Sequence, residues 1–169
     1  QFRKNLKNNL IKNSNINVLL YKDFLFGNYN INKKKIIDTI EQSKKNKQIL
    51  IFGSQIEIDI GEKNSLESSK GGRLQHLCLD IAFKLREKKY KNFIVSGFAS
   101  DGEDFLKNIS GVIISSESLL NFSQREVNNY LRKYRSFYIN KLTNSLIYKK
   151  KNTENNIMDI IVIYFSKHR

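Results

Sequence analysis

The spacing of apolar positions changes along this chain, and each change marks an element. Val18–Tyr21 is a short apolar run of strand length. From about Asn32 the period lengthens, so that Ile36, Ile37 and Ile40 share one helical face and Lys33, Lys34, Asp38 and Glu41 the other. Residues 49–60 return to strand, first as the continuous run Ile49–Phe52, then as the strict alternation Ile56-Glu57-Ile58-Asp59-Ile60. Gly61–Gly72 is rich in Gly, Lys, Asn and Ser and reads as a polar loop.

The strongest helical stripe runs from about Arg73 to Lys89. Leu74, Leu77, Cys78, Ile81, Ala82 and Leu85 recur at helical spacing, and Lys88-Lys89 suits the negative end of the helix dipole. Phe93-Ile94-Val95 is a buried strand closing on Gly97, and Val112–Ile114 is a second apolar run after the loop Ser100–Glu103. Ser123-Gln124-Arg125-Glu126 is a capping box that opens a further helix. Its apolar face is Val127, Tyr130, Leu131, Tyr134 and Phe137, and its basic face Arg125, Arg132, Lys133 and Arg135. Strands near Leu146–Tyr148 and over Ile157–Phe165 flank the charged loop Lys149–Asn156. Residues 1–15 are basic, Asn-rich and weakly periodic, which reads as an extended arm or a frayed helix. The pattern predicts an α+β fold, a mixed sheet packed against two or three helices, with 1–15 a basic extension and 16–169 a single domain.

Composition narrows the class. Forty per cent hydrophobic residues, among them 11 Phe and 8 Tyr, suffice for a real core. A single Cys excludes an internal disulfide framework and fits a reducing compartment. With only two His beside that Cys, no metal-ligand cluster and no metal cofactor is expected. The longest apolar run, Ile160–Phe165, is far too short to span a bilayer, so a soluble chain without a secretory signal and with no membrane partner is expected. The formal charge of +14 creates a field that attracts polyanions, nucleic acid first among them. The plainer reading is an A/T-rich gene, which raises Lys, although Asp and Glu have not kept pace.

Little points to catalysis, and no catalytic residue is expected. Cys78 lies on an apolar stripe and reads as a buried, inert thiol; His76, two positions away, faces elsewhere. Asp101, Glu103 and Asp104 read as a solvated acidic loop sooner than a magnesium site. Gly53-Ser54 after a strand, with Gly97, outlines a Rossmann-like nucleotide-binding module as the rival reading, but no GxGxxG stands at a helix start. Lys70-Gly71-Gly72-Arg73 does open a helix and suits a phosphate, of RNA or of a nucleotide. The candidate RNA-binding residues are Lys70, Arg73, Arg125, Arg132, Lys133, Arg135, Lys149, Lys150 and Lys151, with tyrosines interleaved for stacking on bases.

The order of features from residue 31 resembles the C-terminal domain of the small-subunit ribosomal protein three family, in a divergent mitochondrial form. The resemblance is carried by Val95-Ser96-Gly97 with Asp101-Gly102-Glu103, set against a family strand like VSGRLGGAE, and by the last strand, Ile157–Phe165. The family's Arg after that glycine is Phe98 here, its RNA-binding KH half is absent, and 48–72 and 123–150 would be insertions. The resemblance implies a non-enzymatic constituent of the small ribosomal subunit, in the mitochondrial matrix, near where mRNA enters the head. Its partners would be small-subunit rRNA, neighbouring ribosomal proteins and, at Lys70 and Arg73, mRNA. Two weaker likenesses fall away. The ribosomal protein eleven family needs a basic glycine-rich tail, and outer-membrane peptidoglycan-binding domains need an Asp and Arg that do not align.

Overall fold

A computed structural model describes residues 1–59, 70–149 and 158–167. Its helices are α1 (Phe2–Asn13), α2 (Tyr29–Gln42), α3 (Arg73–Glu87), α4 (Gln124–Arg132) and α5 (Ser136–Leu142). Its strands are β1 (Asn17–Asn28), β2 (Lys47–Glu57), β3 (Asn92–Phe98), β4 (Ile109–Ser115), β5 (Leu146–Tyr148) and β6 (Asp159–Ser166). The strands form one sheet in the order β1-β2-β6-β3-β4-β5. β1 and β2 are parallel, joined by the α2 crossover, and β6 runs antiparallel between β2 and β3. β3 therefore points the same way as β1 and β2, and β4 and β5 each reverse direction. This is the α+β class the sequence pattern predicts, and among the described residues it uses five helices.

Both faces of the sheet are covered, unequally. Leu50, Phe52, Ile56, Val95, Ile161, Ile163 and Phe165 point to the main core, where α2 and α3 lie on the strands and α4 and α5 pack behind α3. The alternate residues Ile49, Ile51, Ile160 and Val18 meet Leu6 and Leu10 of α1 on the other face. Each such side chain contributes about 1.5–3 kcal/mol when fully buried. The continuous run Ile49–Phe52 thus marks a strand buried on both sides. The basic N-terminal stretch is a helix, with the Arg3 guanidinium stacked 3.9 Å over the Phe24 ring and donating to the Tyr21 carbonyl.

Three elements differ from the sequence pattern for identifiable reasons. β1 runs well past Tyr21, because its pairing with β2 resumes at Phe24 after an irregularity that pushes Lys22 and Asp23 into solvent at the sheet edge. The predicted helix from Ser123 to Phe137 splits, because Tyr134 adopts a left-handed φ of 51° and starts α5 on a new axis. α3 is buried nearly all round instead of along one stripe: Gln75, His76 and Asp80 are buried with Leu74, Leu77 and Cys78. A helix covered by the sheet on one side and by other helices on the rest must bury polar residues too, and there the candidate site forms. Residues 60–69, residues 150–157 with Lys150 and Lys151, and residues 168–169 with His168 lie outside the described residues.

Candidate functional site

The start of α3 lies where β2 ends, beside the loop that leaves β3. Its N-cap residue, Gly72, has no side chain to cap with. Asp104, from the loop after β3, does so instead: Leu74 N donates to Oδ1 (3.1 Å) and Gln75 N to Oδ2 (2.9 Å). Gln75 Nε2 also donates to the Asp104 carbonyl (3.2 Å). Asp104 is fully buried. Burial pushes its carboxyl pKa up, while the amides of Gln75 and Leu74 and the nearby Arg73 pull it back. A Cβ on Gly72 would overlap Asp104, and one on Gly71, at φ +147°, would overlap Ser136 Oγ. The two glycines therefore serve close approach within the fold, and the chain's own carboxylate occupies the helix terminus. The expected solvated acidic loop is corrected at Asp104, which is a buried cap.

Arg73 follows. Its Nε and Nη2 donate side-on to Asp159 Oδ2 (2.7 Å) and Oδ1 (3.0 Å). Asp159 is 4% exposed and the Arg73 side chain 37%. Burial raises the Asp159 pKa, with Arg73 opposing; the Arg73 pKa is raised, first by its hydrogen bond to Asp159. The fork is thus half used, leaving the Nη1 edge for another acceptor.

Arg73 lines a 410 Å³ cleft with Ile56, Glu57, Ile58, Gly71, Gly72, His76, Phe105, Tyr134 and Ser136. One helical turn beyond Arg73, His76 is held between two rings, Tyr29 at 5.4 Å and Tyr134 at 5.0 Å, the latter stacked. Its Nδ1 is buried without a hydrogen-bond partner, as is Ser136 Oγ. Burial pushes the imidazole down to about 4; Asp80 opposes this and Lys33 adds to it. Asp80 accepts from Tyr29 Oη (2.6 Å) and Lys33 Nζ (2.7 Å), and burial first, then Asp80, raises the Tyr29 phenol. Beside the Glu57 carboxylate, the cleft therefore offers a cation fixed by Asp159, an imidazole kept neutral by burial and apolar walls, an arrangement that can take a small anion on Arg73 with further polar groups about it. A 510 Å³ groove beneath α1, lined by Phe2, Leu6, Leu10, Phe98, Ile160 and Val162 with two serines, has no ionisable lining group.

The residues singled out as RNA-binding lie on separate elements. Lys70 is exposed just before α3, its carbonyl accepting from Phe137 N (3.0 Å), and Arg73 is tied to Asp159. Arg125 and Arg132 line an exposed groove on α4 with Glu126; Lys133 and Arg135 follow in the turn toward α5. Lys149 pairs with Glu103 at 3.3 Å, and Lys150 and Lys151 lie outside the described residues. The glycines of the nucleotide-binding rival make room for side chains: Gly53 for Phe24, and Gly97 for Cys78, whose Sγ would lie 2.8 Å from an added Cβ. Cys78 is fully buried, and burial raises its thiol pKa. Among the described residues no group of three or more His, Cys, Asp or Glu is placed to hold a metal ion, and no helix is long and apolar enough to cross a membrane. His76, Asp104 and Asp159 were missed as site residues. Arg73, His76 and Asp80 recur at i, i+3 and i+7, a polar stripe that was available as a signal; nothing local marked Asp104 or Asp159.

A six-stranded mixed sheet with β6 inserted antiparallel among three parallel strands, and a cleft at their carboxyl ends, defines the domain as α+β. The chain belongs to the MOFRL family, whose model matches residues 48–159. Its fold is similar to that of glycerate kinase from Thermotoga maritima, with a TM-score of 0.78 and 19% identity, over 96% of this chain and 39% of that one. It is similar also to the PH0495 protein from Pyrococcus horikoshii, with a TM-score of 0.77 and 17% identity, over 98% and 38%. At these identities the likeness is one of fold, and the chain spans about two fifths of either structure. No curated protein sequence matches the chain.

These findings overturn the ribosomal reading. The chain is not a member of the ribosomal protein three family, and a non-enzymatic role in the small subunit, with rRNA, ribosomal proteins and mRNA as partners, falls with that resemblance. The hydrophobic outline misled because many α+β domains share a glycine-ended strand and an apolar last strand. The stretch near 48–72 carries β2, a central strand, and that near 123–150 carries α4 and α5, which pack against α3.

Proposed function

We propose that this chain is the MOFRL part of a glycerate-kinase-like enzyme, and that its cleft forms one wall of the site where a small hydroxy acid is phosphorylated. The observation that carries this reading is Arg73, held side-on by buried Asp159 at a cleft lined by the α3 start. Phosphoryl transfer spreads negative charge over oxygens that a protein stabilises chiefly by position and charge. A guanidinium already oriented by its own carboxylate pays little reorganisation when an anionic substrate arrives. The apolar walls, Ile56, Ile58, Phe105 and Tyr134, leave a bound substrate to displace water from the cleft, which strengthens that contact. Family membership and the fold likeness to glycerate kinase support the reading. The remaining catalytic groups, including those for the phosphoryl donor, belong on this reading to chain beyond the two fifths of that enzyme matched here.

A coupled assay of ATP-dependent phosphorylation of glycerate, made on the full-length enzyme of which this chain is on this reading a part, tests the proposal. Turnover is expected, with kcat/KM falling on the order of 10²-fold in Arg73→Ala and unchanged in Arg132→Ala on α4. Absence of glycerate-dependent ATP consumption by the wild type would overturn it.

A further inference from the structure

We infer that His76 is a substrate-contacting residue of this cleft, its imidazole hydrogen-bonding a hydroxyl of a small hydroxy acid whose anionic group lies on Arg73. The inference rests on the function proposed above and adds the group that reads the hydroxyl. Four observations carry it. His76 lines the cleft, yet it is only 6% exposed. Its Nδ1 is buried with no partner, although buried polar atoms are nearly always satisfied. Its ring is fixed between Tyr29 and Tyr134, the latter in the turn that ends α4. Finally, Arg73 and His76 stand at i and i+3 on one helix, about 5–6 Å apart at Cβ. A cation and a neutral hydrogen-bonding group one helical turn apart match a carboxylate and a hydroxyl separated by one or two carbons.

The charged and titratable groups around the ring are Tyr29 and Lys33 of α2, Arg73 and Asp80 of α3, and Tyr134, with Glu57 of β2 lining the same cleft. Asp80 is engaged by Tyr29 and Lys33, so it does not pair with the imidazole. Burial pushes His76 down to about 4, which leaves the imidazole neutral across the ordinary pH range. A neutral ring accepts or donates at the hydroxyl without placing a second cation beside Arg73.

The test uses glycerate as the probe and the same full-length enzyme. In His76→Phe, which keeps the ring stack and removes both nitrogens, KM for glycerate is expected to rise about 10-fold with kcat less affected. His76→Gln, which restores a hydrogen-bonding group, should recover part of the loss. In the wild type, the His76 imidazole ¹⁵N resonances should shift on adding glycerate, a readout that survives if a variant fails to fold. KM should also stay flat through about pH 6.5, where an exposed His would titrate. A His76→Phe enzyme with wild-type KM, or imidazole resonances indifferent to glycerate while turnover is intact, would overturn the role of His76 alone. A wild type without glycerate turnover would remove the proposed function and this inference with it.

Discussion

Two helices of this fold begin in opposite ways. α4 is closed by its own residues in solvent: Glu126 N donates to Ser123 Oγ (3.2 Å) and Ser123 N to Glu126 Oε2 (2.8 Å). α3 is closed by a buried carboxylate some 30 residues away, on the loop that leaves β3. The local cap does no more than start a helix, and the basic residues that follow, Arg125 and Arg132, stay exposed. The tertiary cap joins the β3–β4 loop to α3 and leaves the side chains of the first turns free to line a cleft. Chemistry collects where distant segments must meet to satisfy one another, and a helix that caps itself has no such need.

Removing the two caps should show the largest contrast. Asp104→Ala leaves the Leu74 and Gln75 amides unpaired in the interior, an expected loss of about 3 kcal/mol, measured by urea unfolding. Equal losses from the two caps would break the comparison.

Acid should sharpen it. The His76 pKa is lowered from 6.5 to about 4, so below pH 6.5 the unfolded chain binds the proton more readily. Stability from this group is present above 6.5 and is lost as pH falls toward 4, by about 3 kcal/mol in all. Asp104 and Asp159 act with the opposite sign, since their raised pKa values make the folded state the better proton binder above 3.8. The difference between wild type and His76→Gln therefore isolates the histidine: the variant should lose less stability between pH 6.5 and 4. Parallel curves would show that the imidazole is not held neutral by burial.

The smallest effect is expected at the exposed cap, where Ser123→Ala should cost about 1 kcal/mol by the same urea measurement, with glycerate turnover unchanged.

Much of the fold was legible along the chain. The stripe from Leu74 to Leu85, the run Ile49–Phe52 and the capping box at Ser123 are each visible in a short window, because a local period reports which side of an element is apolar. β1 beyond Tyr21 was not legible: Lys22 and Asp23 interrupt the pattern at a bulge that only the pairing with β2 creates. The split at Tyr134 was not legible either, since no glycine marks the left-handed residue. The net charge of +14 was read as a partner when it measures only a field; in the fold Arg73, Lys33, Lys88 and Lys149 are engaged with the chain's own carboxylates.

By itself the sequence determined the α+β class, the elements with a clean local period such as α3 and β2, and the identity of the inert thiol, because helix and strand periods and a residue's place on a stripe are properties of neighbours in the chain. Only the tertiary structure decided the site. Arg73 meets Asp159 across 86 residues because β6 inserts between β2 and β3, bringing the last strand beneath the start of α3. Asp104 turns inward because Gly72 leaves room for it and two amides demand an acceptor. His76 becomes a cleft residue because α2 and the turn after α4 close on the face of α3 that the hydrophobic stripe leaves polar. Convergence of this kind depends on strand order and helix packing, and no window of local sequence contains either.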